Sequence, residues 1–241
     1  HPHPRKVLYP DTAGKGLKLI NSQSEKTMLL EEIGLDHLII MEFTADFART
    51  TSDEFVEHYL VGKLHAHTIV VGFNHFFGYR REGSFTSLYE ARARFGFRVE
   101  EIPEQEIQNE TVSSTKIRKA LKEGNIQRAN AYLEHHYMIL ANMEPMPELA
   151  ANYGNPCLMI QVGDPLKLVP PEGAYAASFL CKGQYKKALV HALEESILLF
   201  PLEKDIPAVK GEGLVRFHLR FASSGGHEFT RLLDAVGELI Y

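Results

Sequence analysis

Ser113, Ser114 and Thr115 set three hydroxyls directly before a basic segment, KIRKALKEGN, that reads as a helix. Ile117, Ala120 and Leu121 make its apolar stripe, and Gly124 makes its stop. A helix start presents unpaired N–H groups and a partial positive charge, which together suit phosphate. Arg118, one turn in, can fold back toward that end and fork onto phosphate oxygens. The same residues also suit an N-capped surface helix with solvated lysines, although three hydroxyls exceed what one cap requires.

A second stretch, VVGFNHFFGYRREG, begins inside a β-branched run and continues with turn residues. Asn74 would stand at a strand end, where an amide can read a ligand's polar edge. Phe76 and Phe77 could wall a flat ring, Gly72, Gly78 and Gly83 would let backbone approach closely, and Arg81 could meet a phosphate. The alternative is a loop whose phenylalanines belong to the core. The histidine pairs His1/His3, His65/His67 and His135/His136 lack a third ligand in sequence, so no metal site is expected from them.

The elements that must place these residues alternate. SEKTMLLEEIG predicts a helix with Ser24 as N-cap and Gly34 as stop. HLIIMEF (37–43) predicts a strand, TSDEFVEHYLVGKL a helix, HTIVVGF (67–73) a strand, SFTSLYEARARFG a helix ending at Gly96, and FRVEEI (97–102) a strand. Such alternation implies a Rossmann-like parallel sheet of the α/β class, whose ligands lie beyond the carboxyl ends of strands, here after Phe43, Phe73 and Ile102. NMEPMPELAANYGNP reads as a linker or loop. The short apolar runs beyond it, CLMIQV, GAYAASFLC, KKALVHAL, SILLF and LVRFHLRFA, predict a small antiparallel barrel or sandwich, and HEFTRLLDAVGELI a terminal helix. The expected division is a nucleotidyltransferase domain over 1–133, a linker over 134–156 and a mainly-β barrel over 157–241.

Composition narrows the classes. The chain has 241 residues, 44% of them hydrophobic, enough for a packed core, and a net charge of −5, against the basic surface that nucleic-acid binding needs. Two cysteines, Cys157 and Cys181, supply neither a disulfide framework nor a four-cysteine zinc site and point to a reducing cytoplasm. No apolar run reaches membrane-spanning length. The chain opens HPHPRKVLYP, without initiator Met or signal peptide, so an upstream segment is expected.

Together these segments resemble the prokaryotic bifunctional riboflavin kinase/FMN adenylyltransferases, or FAD synthetases. PHPRKVLYP looks like that family's PHP-containing segment, the stretch from Glu25 to Gly83 follows its pattern, and VSSTKIRKALKEGNIQRANAYL looks like its closing signature. The SSTKIR motif alone points only to the nucleotidyltransferase superfamily.

The resemblance implies transfer of AMP from ATP to FMN, giving FAD and pyrophosphate with Mg²⁺. It assigns Ser113, Ser114, Thr115 and Arg118 to ATP, and Pro2, Pro4, Asn74, Phe77 and Arg81 to FMN. It also implies that the family's catalytic histidines, carried on a G-x-F-D-G-x-H-x-G-H loop, lie upstream of His1. The carboxyl half looks like the riboflavin kinase barrel at LVPPEGAYAASF and in its last strands, with Glu195 matching the kinase base. It lacks the G-F-P-T-A-N motif that serves Mg²⁺ and phosphate, so riboflavin kinase activity is doubtful. An adenylyltransferase for another mononucleotide, such as nicotinate mononucleotide, and a non-catalytic flavin- or nucleotide-binding protein are the alternatives.

Overall fold

The computed structural model describes residues 3–12, 16–104, 106–107, 110–194, 196–204, 206, 209–221 and 229–239. Pro2, Glu195 and His1 lie outside the described residues. The helices are α1 (Pro4–Leu8), α2 (Gln23–Glu32), α3 (Ser52–Glu54), α4 (Phe85–Phe95), α5 (Ser114–Lys122), α6 (Ile126–Leu133), α7 (Pro147–Tyr153) and α8 (Phe229–Leu239). The strands are β1 (Thr68–Gly72), β2 (Arg98–Ile102), β3 (Glu106–Ile107), β4 (Glu110–Thr111), β5 (Tyr137–Pro145), β6 (Leu158–Val162), β7 (Gly173–Cys181), β8 (Gln184–Ala192), β9 (Ile197–Pro201) and β10 (Gly211–Arg220). The chain forms two compact units, one of residues 1–17 and 39–111, the other of 18–38 and 112–241.

In the first unit β1 and β2 pair in parallel, with Val70 opposite Glu100. Thr51 caps α3 with a capping box closed by Glu54, and the helix runs on as a π-helix over Phe55–Val61. Ser84 caps α4, which ends at Gly96 in the left-handed region. Val56, Ile69, Val71, Leu88 and Phe97 form the buried core between these helices and one sheet face. The strand expected over 37–43 does not form: the segment has no strand pairing, and Ile39 and Ile40 are more than half exposed. An apolar run becomes a strand only when a neighbouring edge takes its N–H and C=O groups, and among the described residues β1 pairs with β2 and with no other strand.

In the second unit six antiparallel strands close into a barrel in the order β10-β5-β6-β9-β8-β7. The stretch read as a linker supplies one of them. Its first residues, Asn142–Pro145, complete β5, and Pro147–Tyr153 is α7. Pro, Asn and Met masked a strand whose buried positions nonetheless alternate toward its end, at Ala141 and Met143. Leu149 and Ala150 of α7 and Leu232, Leu233 and Val236 of α8 cover a cluster built on Cys157, Ala176, Leu189, Leu198 and Phe200. Tyr137, Tyr175 and Phe217 meet through their rings in the buried core.

Helix α2 differs from expectation. Its N-cap is Ser22, with Glu25 completing a capping box, and the residue it buries is Glu25. Glu25 Oε2 accepts from the Ser22 N–H at 2.8 Å and from Lys167 Nζ at 2.6 Å, while Oε1 accepts from the Leu140 N–H at 2.8 Å. Lys167 Nζ also donates to the carbonyls of Ile20 at 2.6 Å and Met138 at 2.7 Å. Three acceptors use all three ammonium protons. Burial pulls the Lys167 pKa down to about 8, and the Glu25 carboxylate opposes that pull. Removing one partner of a buried pair leaves an uncompensated charge, whereas replacing both does not. Lys167→Ala should therefore cost about 3–5 kcal/mol in urea unfolding. The double variant Lys167→Met/Glu25→Gln should recover most of that loss, and a double variant no more stable than the single would show that the charges do not compensate each other.

Candidate functional site

The loop after β1 is stitched back to the start of α3, the helix that precedes the strand. The Tyr79 N–H donates to the Thr50 carbonyl at 2.8 Å, and Glu82 Oε1 accepts from the Ser52 N–H at 2.8 Å. Phe77 and Gly83 exchange backbone hydrogen bonds at 3.1 and 2.9 Å. A Cβ on Gly83 would stand 2.7 Å from the Phe77 ring, and one on Gly78, at φ 73°, would meet Ser52 N at 2.6 Å. The glycines are therefore there for close approach. Arg80 and Arg81 also adopt positive φ, a conformation costly for side chains with a Cβ and sustained here by the surrounding hydrogen bonds.

The loop leaves Asn74 exposed to solvent and Phe76 about half exposed beneath the Arg81 guanidinium, 4.8 Å from the ring centre. Phe77 is half-buried, packed on Phe55 at 5.8 Å and stacked with His75. Phe77 is thus partly core, as the alternative reading had it, while Phe76 and Arg81 form an exposed cation–aromatic pair. Pro4 opens α1 at its first turn, where its missing N–H costs nothing, and His3 is the N-cap, its ring accepting from the Arg5 N–H at 3.2 Å.

The residues expected at phosphate belong to the second unit. Ser113 caps α5, its Oγ accepting from the Lys116 N–H at 3.3 Å, and Ser114 and Thr115 are exposed in the first turn. Ile117, Ala120 and Leu121 are buried, and Gly124, at φ 75°, ends the helix. Arg118 folds back: Nη1 donates to the Ser114 carbonyl at 3.2 Å, and Nε to the Lys18 carbonyl at 2.9 Å. The guanidinium is thereby fixed at the same end of the helix as the hydroxyls. Lys18 was not foreseen, because nothing local in sequence marks a residue whose partner lies a hundred positions away.

The barrel unit carries another polar cluster that sequence reading treated only as a histidine pair. A cleft of about 370 Å³ is lined by Asn130, His135, His136 and Arg216 with Leu29, Glu32, Glu134 and Met138. His218 occupies a bulge in β10, between Phe217 and Leu219, which turns its Nε2 to within 2.9 Å of Ser178 Oγ. Its ring lies 4.1 Å from that of His136. Burial, His136 and the Arg216 guanidinium push the His218 pKa down to about 4, and burial followed by Arg216 and His135 lowers that of His136. Among the described residues no group of three or more His, Cys, Asp or Glu could hold a metal ion. No described helix is long and apolar enough to cross a membrane.

Residues 1–116 match the family model of FAD synthetase. The resemblance read from the sequence is therefore borne out over the amino-terminal part of the chain, which is similar to FAD synthetase. The bifunctional riboflavin kinase/FMN adenylyltransferase of Listeria monocytogenes is 30% identical over 184 residues, 76% of this chain and 57% of that protein. The protein of the same name from Pseudomonas fluorescens is 26% identical over 235 residues, 98% of this chain and 70% of the other. The chain thus spans little more than half the length of the Listeria relative. A solved structure described as a macrolide-efflux protein from Streptococcus pneumoniae shares the fold with a TM-score of 0.81 at 20% identity, covering 98% of this chain and 80% of that one.

The lowered histidine pKa values should make stability acid-sensitive. A histidine with a folded pKa below its unfolded value contributes fully above about pH 6.5. For His218 that contribution falls away as the pH drops toward about 4. With the ring only half-buried the loss should be about 1–2 kcal/mol. Urea unfolding between pH 7 and 4.5 should show a shallower decline in His218→Phe than in the parent, and parallel curves would remove His218 as the source.

Proposed function

We propose that the protein makes FAD by transferring AMP from ATP to FMN, with residues 1–133 as the adenylyltransferase module, acting in the cytoplasm. A phosphate oxygen of FMN attacks the α-phosphorus of ATP, a P–O bond forms there, the bond to the β-phosphate breaks, and pyrophosphate leaves. Both nucleophile and leaving group come from the substrates, so the protein's work is positioning and charge stabilisation. Ser113, Ser114 and Thr115 would take ATP phosphates at the start of α5, with the Arg118 guanidinium supplying positive charge there. Asn74, Phe77 and Arg81, with Pro4 and Pro2, would hold FMN. Mg²⁺ would arrive on the triphosphate and neutralise part of its charge, a mode that needs few protein ligands.

The observation that supports this reading most directly is the hydroxyl-rich, capped start of α5 with Arg118 turned back onto it, in a chain whose first 116 residues match FAD synthetase. The two buried free cysteines, Cys157 and Cys181, suit a reducing compartment.

Replacing a guanidinium that bonds phosphate removes about 1.5–3 kcal/mol. In calorimetric titrations Arg118→Ala should weaken ATP binding roughly ten- to a hundredfold and leave FMN binding unchanged. Phe77→Ala should do the reverse, weakening FMN roughly two- to tenfold in flavin fluorescence, and Asn74→Ala should likewise weaken FMN. Undiminished ATP affinity and turnover in Arg118→Ala would remove the phosphate assignment, and unchanged FMN binding in both loop variants would make the loop structural.

The barrel, on this reading, does not phosphorylate riboflavin. Phosphoryl transfer needs a metal held against the nucleotide phosphates, and no G-F-P-T-A-N follows Leu133. Incubated with riboflavin, ATP and Mg²⁺, the full-length protein should yield little or no FMN by chromatography. Substantial FMN that is lost in Glu195→Gln would establish a diverged kinase site.

A further inference from the structure

We infer that the barrel positions the phosphate-binding helix, with Arg220 as the positioning residue at the helix's far end; this rests on the reading of α5 as the site for ATP phosphates. Helices α5 and α6 fall in the same compact unit as the barrel. Two straps hold α5. At its start, Arg118 Nε donates to the Lys18 carbonyl, and Lys18 Nζ in turn donates to the Pro165 carbonyl at 2.7 Å. The Leu19 N–H donates to the Leu166 carbonyl at 2.7 Å, and the Leu168 N–H returns to the Leu19 carbonyl at 2.8 Å. That strap ends beside Lys167.

At the end of α5, the last residue of β10 takes over. Arg220 Nη1 donates to the carbonyl of Glu123, the C-cap of α5, at 3.3 Å, and Nη2 to the carbonyl of Glu172, just before β7, at 2.5 Å. One planar guanidinium thus joins a helix terminus to two barrel strands, and its charge faces the negative end of the helix. The side chain lies across two glycines at positive φ. A Cβ on Gly124 would stand 2.4 Å from Arg220 Nη1, and one on Gly173 would stand 2.9 Å from Nε. The neighbouring helix α6 is tied down by Asn130, whose Oδ1 accepts from the Tyr137 N–H at 2.7 Å and whose Nδ2 donates to the Phe217 carbonyl at 2.9 Å.

The geometry matters because a helix is stiff. Nine residues make a rod about 13 Å long, so a tilt of about 5° at one end moves the other by about 1 Å. A misplacement of about 1 Å at a reacting phosphate can cost on the order of a hundredfold in rate. Arg220 touches no substrate; it acts through α5 on where Ser114, Thr115 and Arg118 meet ATP. On this account the barrel serves adenylyl transfer whether or not it has chemistry of its own.

The test uses the full-length protein, with steady-state FAD formation at varied ATP and varied FMN, and thermal unfolding alongside. Arg220→Ala should raise KM for ATP about tenfold, leave KM for FMN within about twofold and retain a cooperative transition. Arg220→Lys, which keeps the charge but cannot span both carbonyls, should fall between. Gly124→Ala, which keeps the arginine and pushes it off Glu123, should show the same ATP-selective rise and serves if Arg220→Ala fails to fold. A parent that makes no FAD overturns the functional reading and this inference with it. An active parent whose folded Arg220 and Gly124 variants keep their ATP KM, or lose on ATP and FMN equally, overturns the positioning role alone.

Discussion

The barrel unit is organised around one buried charge pair. Lys167 and Glu25 are almost wholly excluded from solvent and 2.6 Å apart. Taking two such ions out of water costs several kcal/mol each, and their attraction recovers that only with good geometry and further hydrogen bonds to both ions. Here the ammonium places all three protons, on Ile20, Met138 and Glu25, and the carboxylate accepts three bonds, from Ser22, Leu140 and Lys167. The Tyr137 ring stands 4.3 Å from the ammonium, and its hydroxyl bonds the Leu168 carbonyl. A well-packed apolar pair could be as stable, but it would not dictate which backbone groups meet. What the ions contribute is register. They fix residues 18–38, distant in sequence, against β5 and the 164–168 turn.

That constraint explains which parts of the fold were legible. Helices α3, α4 and α5 were readable because their signals are local: a capping hydroxyl, an apolar stripe, a terminal glycine. Five barrel strands were readable because short apolar runs separated by turns have few other fates. The strand β5 was not, since Asn142, Pro145 and Met146 mimic a linker and only pairing to β6 and β10 reveals the ladder. The opposite failure occurred at 37–43, where apolar composition promised a strand and no edge among the described residues completes one. Propensity proposes a strand; a partner decides it.

The candidate site was legible to a similar depth. The hydroxyl triplet and the turned-back arginine follow from helix-terminus chemistry, and the structure shows Arg118 folded as expected. Glu25 and Lys167 had no signature, because a glutamate in a first turn and a lysine between apolar residues look like ordinary surface positions. Their roles arise from a separation of 142 residues. Lys18 and Arg220 escape notice for the same reason.

The division of the chain between its two units bears on how such a protein changes over time. The loop with Asn74, Phe77 and Arg81 belongs to one unit, and Ser113 through Arg118 to the other. If the second set grips ATP, the barrel is bound into adenylyl transfer by the covalent continuity of α5, α6 and β5 and by the arginine that closes the end of α5. A barrel could then lose its own phosphoryl-transfer residues while its packing and clasps are maintained. Apolar burial, the Lys167–Glu25 pair and the two glycines under Arg220 would remain constrained by where they hold a helix, independently of any ligand in the barrel itself.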